Sequence, residues 1–257
     1  MERRAAAECF WASVQVMVAC FLIPIARPHD NGVWTHFVPV LPDHLPLHRL
    51  EKILDRHGID IARSTLCDWA AQSAEALRPM YDLLVREVLA SCILHTDDTP
   101  VDVLDRKLPQ TRQGRFWVYV GDETHPYTVF DYTPTRKRDG PMTFLNNWGK
   151  DGRRFLQADA FGGYDGIYAG QAGGQVVEVA CWAHARRKFH EARASDPAAS
   201  TQALAYIRLL YDVELQAREA FRAQAQDGAT RPLSAFRLEL RQQLALPRLQ
   251  QFKPWLD

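Results

Sequence analysis

A change of periodicity at about residue 91 constrains the fold of this chain more than any other feature. Residues 34–90 carry apolar side chains at helical spacing, as in Leu47, Leu50 and Leu54. From residue 91 onward, short runs rich in aromatic and β-branched residues predict strands that begin near residues 91, 114, 126, 153 and 175. We therefore expect a helical segment followed by an α/β region.

The order of the predicted elements after residue 91 is strand, strand, strand, helix, strand, helix, strand, helix. The link GDETHP at residues 121–126 is short, so the second and third strands should form a hairpin. A three-stranded meander followed by alternating helices and strands indicates a mixed sheet covered by helices. We therefore predict the α/β class, with a ribonuclease-H-like mixed sheet, flanking helices and a preceding helical segment.

The helical segment at residues 34–90 contains its own start and stop signals. Gly58 is suited to end one helix, and Ser64 or Thr65 to cap the start of the next. Pro79 is expected either to begin a third helix or to kink the second. Two helices joined by a glycine turn resemble a helix-turn-helix, and an ordinary helical hairpin fits the pattern equally well.

Composition restricts the function classes only loosely. The 257 residues carry a formal net charge of zero, so any contact with nucleic acid must depend on local basic clusters. The five cysteines are scattered and lack CxxC spacing, which favours a reducing, cytoplasmic setting over a disulfide framework.

The first 33 residues match none of these patterns. A basic start followed by apolar residues from Cys9 to Ala26 outlines a signal peptide or a marginal membrane span. Glu8 and Gln15 interrupt it, and no small-x-small cleavage site follows. We therefore favour a buried helix or a stretch read from an altered frame, and do not expect a membrane partner.

Two strand ends carry the residues best suited to catalysis. Asp97 and Asp98 lie in ILHTDDTP at residues 93–100, and Asp159 follows the fourth strand. In a ribonuclease-H-like sheet these strands are neighbours, so the carboxylates would meet and repel one another unless a cation lies between them. Mg²⁺ suits such a site, whereas two unrelated aspartates that cap turns would account equally well for the spacing.

Strand alternation distinguishes the two adjacent aspartates. Ile93, His95 and Asp97 should share one face of the first strand, while Leu94, Thr96 and Asp98 share the other. Gln157 and Asp159 should lie on the same face as His95 and Asp97. Asp98 is then expected to point away from the site and cap a turn before Pro100.

Several blocks of the sequence resemble, in order, the transposases of bacterial insertion sequence 66. The resemblance extends from about residue 40 to about residue 220. The blocks are DHLPLHRLEKILDRHGIDIARSTLCDWA, LHTDDTPVDVLD, GRFWVYVGD, FLQADAFGGYDGIY and VVEVACWAHARRKF. CWAHARRKF and LQAD followed by GY are the most specific of these.

The resemblance implies a DDE transposase with a ribonuclease-H-like core. Its first two catalytic and metal-binding acids would be Asp97 and Asp159, with two Mg²⁺ or Mn²⁺ ions in the complete site. The implied reaction is hydrolysis at the element's DNA ends followed by attack of the 3′-hydroxyls on target DNA, both in-line displacements at phosphorus. Expected partners are element and target DNA and further copies of the chain, with no small-molecule substrate.

The sequence departs from the family pattern at the third acid. The family's Asn-Asn-x-x-Glu-Arg block does not occur here, and Asn146-Asn147 lacks the glutamate. We therefore interpret residues 91–257 as a core truncated at its C-terminus, and the chain as an internal piece of a transposase. Glu178 and Glu214 are possible substitutes, although Glu214 better suits a solvated helix face.

Two basic clusters are candidates for contact with DNA phosphates. One is His184, Arg186, Arg187 and Lys188, at the start of a helix after the fifth strand; the other is Arg136, Lys137 and Arg138, in a loop. Solvated faces paired with acids such as Glu191 are the alternative. Cys181 and His184 form a C-x-x-H pair, but zinc needs about four ligands and no second pair is present.

Three functions remain open from the sequence. The first is metal-dependent DNA strand cleavage and transfer by a transposase, incomplete within this chain. The second is another ribonuclease-H-like nuclease, which an acid supplied from within the chain would favour. The third is a non-catalytic fragment that binds DNA or full-length transposase, which the missing glutamate block favours. Enzymatic activity of the chain itself therefore stays undecided at this stage.

Overall fold

The computed structural model describes residues 46–104, 110–226 and 231–256. The chain divides after Ala180 into two compact units, and each is described by itself. The predicted apolar stretch at residues 1–33 and the predicted turn at Asp227-Gly228 lie outside the described residues. The proposed domain boundary between residues 90 and 91 stays a prediction.

The first unit begins with helices that confirm the predicted helical segment over the residues described. They are α1 (Leu47–Arg56), α2 (Arg63–Ala76) and α3 (Arg78–Ala90). Gly58 has a φ of 75°, its N–H donates to Asp55 O at 2.9 Å, and the N–H of Ile59 donates to Leu54 O at 3.0 Å. This pair of bonds is a Schellman motif, so the predicted glycine stop is confirmed.

The start of α2 differs from the prediction. Ala62 occupies the N-cap position, and neither Ser64 nor Thr65 caps the helix. The N–H of Arg63 instead donates to the Glu51 carboxylate at 2.8 Å, so α1 supplies the acceptor that a capping hydroxyl would have provided. Pro79 lies in the first turn of α3, where proline is tolerated, and it begins that helix as one alternative predicted.

A five-stranded mixed sheet forms the centre of the first unit and confirms the predicted ribonuclease-H-like class. Its spatial order is β3-β2-β1-β4-β5, with β1 antiparallel to β2, β2 antiparallel to β3, and β4 parallel to both β1 and β5. The strands are β1 (Ile93–Val103), β2 (Arg112–Val120), β3 (Thr128–Thr133), β4 (Arg153–Ala158) and β5 (Gln175–Ala180).

One face of the sheet holds the main core of this unit. Fully buried side chains from the strands include Leu94, Trp117, Tyr119 and Leu156. They pack in a cluster that includes Leu84 and Val88 of α3 and residues of the elements that follow β3 and β4. Those elements are α4 (Asp139–Phe144), a 3-10 turn (Gly162–Tyr164) and α5 (Asp165–Tyr168).

Strand β1 is longer than the sequence predicted. It continues through Pro100 to Val103 and is paired with β2 from His95 onward. Its pairing with β4 ends at His95 opposite Gln157, so Pro100 has a strand neighbour on one side only. Proline is tolerated in such an edge segment, and for this reason the Thr-Pro sequence does not end the strand.

The second unit is helical over its described residues. Its helices are α6 (Trp182–Glu191), α7 (Pro197–Gln226), α8 (Leu233–Leu240) and α9 (Leu246–Leu256). Ala203 and Ile207 of α7 bury themselves against Phe252 of α9, and the rings of Tyr206 and Phe252 stack at 4.7 Å. Among the described helices of the whole chain, none is long and apolar enough to cross a membrane.

Candidate active site

Three carboxylates meet where β4 ends beside β1. The parallel register pairs His95 with Gln157, so Asp97 and Asp159 each lie two residues beyond the last pair. Asp97, Asp98 and Asp159 each present a carboxylate oxygen within 4.8 Å of the others. The predicted meeting of Asp97 and Asp159 is therefore present, and so is the predicted alignment of His95 with Gln157.

The expectation that Asp98 points away from the site and caps a turn is wrong. Leu94 and Thr96 face the buried side of β1, as alternation predicted, and the Asp98 side chain is only 1% exposed. However, β4 has already stopped pairing with β1 at this point, so side chains from either face of β1 can reach the space beside Asp159. No turn precedes Pro100, because the strand continues.

Two arginines hold the carboxylate of Asp98. Arg115 of β2 donates from Nη1 to Asp98 Oδ2 at 3.0 Å. Arg136, in the loop after β3, donates from Nε to Oδ1 at 2.9 Å and from Nη2 to Oδ1 at 2.7 Å. A buried carboxylate needs such compensation, because an unpaired charge away from water is strongly unfavourable.

Arg136 also reaches the second strand end. Its Nη2 donates to Asp159 Oδ2 at 3.2 Å, so one guanidinium bridges Asp98 and Asp159. The guanidinium lies over the Phe161 ring, 4.1 Å from the ring centroid, in a cation–π contact. The N–H of Phe161 donates to Asp159 Oδ1 at 3.2 Å, so the residue that supports Arg136 also orients Asp159.

The glycine turn after Asp159 serves close packing. A Cβ atom at Gly163 would come within 2.1 Å of the Phe161 ring, so only glycine leaves room for that ring. Tyr164, fully buried, places its hydroxyl 3.5 Å from the Thr96 hydroxyl behind the carboxylates. Gly163 therefore has a packing role.

The clustered carboxylates shift the pKa values of neighbouring side chains. Burial raises the pKa of the Tyr164 hydroxyl, the Thr96 hydrogen bond opposes this, and the negative charges of Asp159, Asp98 and Asp97 raise it further. Partial burial alone would lower the pKa of Arg136, but its hydrogen bond and attraction to Asp98, reinforced by Asp159, raise it. Tyr164 therefore stays a neutral phenol and Arg136 a cation.

The donor set fits a hard divalent cation. Mg²⁺ takes oxygen ligands at about 2.1 Å, so two ligands of one ion lie roughly 3 to 4 Å apart. The oxygens of Asp97, Asp98 and Asp159 come within 4.8 Å of one another, which small side-chain adjustments would bring into that range. Because Arg115 and Arg136 already bind both oxygens of Asp98, Asp97 and Asp159 are the better candidates to hold the ion.

A model of the transposase IS66 family matches residues 37–257, which include the whole sheet and all three carboxylates. The chain belongs to the transposase IS66 family. This confirms the resemblance found in the sequence.

Relatives from Sinorhizobium fredii (strain NBRC 101917 / NGR234) are described as uncharacterized proteins. One, y4hP, is 33% identical over 155 residues, which are 58% of this chain and 27% of that protein. Another, y4qI, is 24% identical over 216 residues, which are 80% of this chain and 39% of that protein. The chain thus spans about a quarter to two fifths of the length of these relatives.

The predicted loop cluster of this IS66 family member is only partly open to solvent partners. Arg136 binds Asp98 and Asp159, and Arg138 donates to the Gln171 side chain at 3.1 Å. Lys137 is exposed. Contact of this cluster with DNA stays a prediction. Arg136 would have to release at least one carboxylate before it could bind a phosphate.

The second predicted basic cluster lies on α6, in the other unit. Arg186, Arg187 and Lys188 are exposed, and His184 is half-buried. Lys188 forms an ion pair with Glu191 at 3.3 Å, the pairing that the alternative interpretation anticipated. Both side chains are well exposed, so the pair contributes little to stability.

The two glutamates considered as a third acid have different surroundings. Glu214 of α7 accepts from Arg241 at 2.6 Å and lies 3.4 Å from Arg237, so it is a half-buried ion-pair residue and not a fully solvated one. Glu178 of β5 is exposed. Burial raises the pKa of Tyr168, and the negative charges of Glu178 and Asp159 raise it further.

Arg115 and Phe161 contribute to the site but were not predicted from the sequence. The antiparallel register places Arg115 opposite Pro100, one same-face position along from Trp117, which is opposite Asp98. Extending the first strand past Pro100 would have placed Arg115 beside Asp98. For Phe161, the aromatic residue directly before Gly162-Gly163 was the available signal.

Proposed function

We propose that this chain carries the acidic site of an insertion-sequence transposase, in which Asp97 and Asp159 hold divalent metal for cleavage and transfer of DNA strands. The observation that carries the proposal is the meeting of three carboxylates at the junction of β1 and β4. Membership of the IS66 transposase family supports it. Mg²⁺ or Mn²⁺ is the ion class that such oxygen ligands suit, and two ions are expected in the complete site.

A bound divalent metal supplies activation of the attacking oxygen and stabilisation of charge on phosphorus and on the leaving oxygen. The chain's own residues position the carboxylates. Asp159 is oriented by the N–H of Phe161, and Asp97 accepts the N–H of Asp98 at 2.9 Å. The buried pair of Thr96 and Tyr164 lies behind the acids and excludes water from that side.

DNA is the proposed partner, with phosphate contacts from basic side chains. Lys137 and Arg138 lie in the loop that also carries Arg136, so this cluster is attached to the acidic site. Arg186, Arg187 and Lys188 provide a second exposed basic surface on α6. Because such contacts act through charge, DNA affinity should fall steeply as salt rises. Assembly of several copies on DNA is part of the proposal.

The proposed activity can be tested with three labelled substrates of equal length. These are a duplex carrying the DNA that borders the gene, an unrelated duplex and an RNA–DNA hybrid, each incubated with Mg²⁺ or EDTA. A transposase should produce Mg²⁺-dependent nicks at defined positions of the first substrate only. The Asp159→Asn variant should lose that cleavage by at least about a thousandfold, because one of the few metal ligands is gone.

The alternatives give different results in the same experiment. Cleavage of all three substrates, or of the hybrid alone, would indicate a general ribonuclease-H-like nuclease. Salt-sensitive binding to duplex DNA without cleavage would support the non-catalytic fragment. Exposed Asp102, on the same strand as Asp97, provides a control, since Asp102→Asn removes a carboxylate outside the cluster.

A further inference from the structure

A single guanidinium lies between two of the three clustered acids. Arg136 makes three hydrogen bonds to Asp98 and one to Asp159, and its side chain is 37% exposed while that of Asp98 is 1% exposed. A cation in this position neutralises the carboxylates when no metal is bound. Arg136 lies in a loop, and its guanidinium packs on the Phe161 ring. The side chain can therefore move without disturbing a strand.

We propose that Arg136 is a positioning residue that occupies the cation position between Asp98 and Asp159 in the metal-free protein and competes with divalent metal for Asp159. The inference rests on the proposed metal site and adds a device that regulates its occupancy. It assigns to Arg136 a role other than the phosphate contact predicted for its cluster.

The hydrogen-bond lengths indicate which contact of Arg136 breaks more easily. Nη2 of Arg136 lies 2.7 Å from Asp98 Oδ1 and 3.2 Å from Asp159 Oδ2, so one nitrogen is shared and its bond to Asp159 is the longer. The Nε bond to Asp98 at 2.9 Å is independent of Asp159. Arg136 can therefore release Asp159 and remain attached to Asp98, and exchange requires the loss of one contact rather than of the whole cluster.

Arg115 makes this division of roles possible. It binds Asp98 Oδ2 at 3.0 Å, so Asp98 remains compensated while Arg136 moves. Asp98 thus acts as a fixed anchor, and Asp159 is the acid exchanged between arginine and metal. The Asp98 side chain is 1% exposed, as expected for an anchor. The Asp159 side chain is 22% exposed, as expected for a ligand that can be exchanged.

The test is the Mn²⁺ affinity of the purified chain, measured by titration calorimetry and by the electron paramagnetic resonance signal of free Mn²⁺. Arg136→Gln keeps a polar side chain but removes the competing charge. It should bind Mn²⁺ about tenfold more tightly than the wild-type chain, since a unit charge a few ångströms from the ion changes its binding energy by an amount of this order even after screening.

Arg138→Gln is the matched control. It removes an equal charge from the same loop, but Arg138 donates to uncharged Gln171. Its Mn²⁺ affinity should stay within about twofold of wild type, as expected for an exposed charge that is screened by salt. Equal affinities for the Arg136→Gln and Arg138→Gln variants, or weaker binding by the former, would overturn the proposal.

Failure of this inference can be told apart from failure of the proposed metal site. If the wild-type chain binds Mn²⁺ and the Asp159→Asn variant does not, the metal site is supported. An Arg136→Gln variant with the same Mn²⁺ affinity as wild type would then contradict only the competing role of Arg136. If wild-type and Arg136→Gln chains both bind no Mn²⁺, both ideas fail. If only Arg136→Gln binds Mn²⁺, the competing role is established directly.

A second variant covers the case in which Arg136→Gln does not fold. Arg136→Lys keeps the charge but lacks the planar set of donors that bridges two carboxylates. It should bind Mn²⁺ about threefold more tightly than wild type. Far-UV circular dichroism and thermal unfolding in EDTA establish folding, and Mn²⁺ should raise the Tm of either variant more than that of the wild-type chain. An equal rise in Tm would count against exchange.

Discussion

Two regions of the same sheet show two ways of binding a carboxylate. Asp122, just after β2, accepts hydrogen bonds from the N–H groups of Cys92, Thr124 and His125 at 2.7, 3.1 and 3.1 Å and from the Thr124 hydroxyl at 2.6 Å. In the acidic cluster, Asp98 is instead bound by the side chains of Arg115 and Arg136, and Asp159 by Arg136 and the N–H of Phe161.

The two regions differ in whether the groups that bind the carboxylate can be displaced. Backbone N–H groups are fixed by the fold, so Asp122 is part of the structure that joins the β2–β3 turn to the start of β1. Arginine side chains can leave, and a metal or a phosphate can take their place. Asp159, whose ion pair with Arg136 can break and which lies close to two other carboxylates, is therefore the better candidate for function, and Asp122, surrounded by backbone donors, for stability.

The largest expected contrast is in the free energy of unfolding. Asp122→Asn should lower it by about 2 kcal/mol, because several donors lose a charged acceptor. Asp159→Asn should change it by less than about 1 kcal/mol, since relief of repulsion among the acids offsets the lost ion pair with Arg136. Urea unfolding of both variants in EDTA provides the measurement, and a larger loss for Asp159→Asn would reverse the assignment of roles.

A second expectation concerns acid pH. Burial alone would raise the pKa of Asp122, but the hydrogen bond from the Thr124 hydroxyl and those from the N–H groups of Cys92, Ile93 and His125 lower it well below its ordinary value. The unfolded chain therefore takes up the proton first, so this stabilisation is complete above about pH 5 and declines as pH falls through about 4 and below.

Urea unfolding between about pH 6 and pH 3 tests that sign. The difference in unfolding free energy between wild type and Asp122→Asn should shrink as pH falls, because only the wild type loses the contribution of the ionised carboxylate. Asp102→Asn, which changes an exposed strand residue, should follow the wild-type curve. A gap that is constant or widens toward acid would show that the hydrogen bonds do not favour the ionised form.

The smallest expected effect sharpens the comparison within the acidic cluster. Phe161→Leu keeps an apolar side chain and the N–H that binds Asp159, but it removes the ring beneath Arg136. We expect a loss of about 0.5 to 1 kcal/mol, the usual size of a partly exposed cation–π contact. In the Arg136→Gln background, the same change should lower the free energy of unfolding by less. Equal decreases in both backgrounds would show that the ring does not support Arg136.

The sequence predicted most of the sheet because each strand carries a strong local pattern. The five strands, the hairpin between β2 and β3, and the approach of Asp97 to Asp159 followed from periodicity and strand order. Family resemblance supported the same arrangement. These features depend on residues close in sequence or on a topology that the element order already restricts.

The prediction failed where a distant contact overrides a local signal. Thr99-Pro100 reads as a strand stop, but pairing with β2 carries β1 to Val103. Asp98 was assigned to a turn for the same reason, and Arg115 and Arg136 were not connected to it. Ser64 and Thr65 were expected to cap α2, yet Glu51 provides the acceptor from the preceding helix. Each case depends on a partner at least nine residues away, which no local pattern encodes.

The location of bound metal tests the account most directly. Fe²⁺ substituted for Mg²⁺, with ascorbate and peroxide, cuts the protein backbone near the ion, and mass spectrometry identifies the cut positions. We predict cuts close to residues 97–98 and 159 that excess Mg²⁺ suppresses, that Asp102→Asn retains and that Asp159→Asn loses. Cuts near Asp122, or no localised cuts, would contradict the assignment of Asp97 and Asp159 as metal ligands.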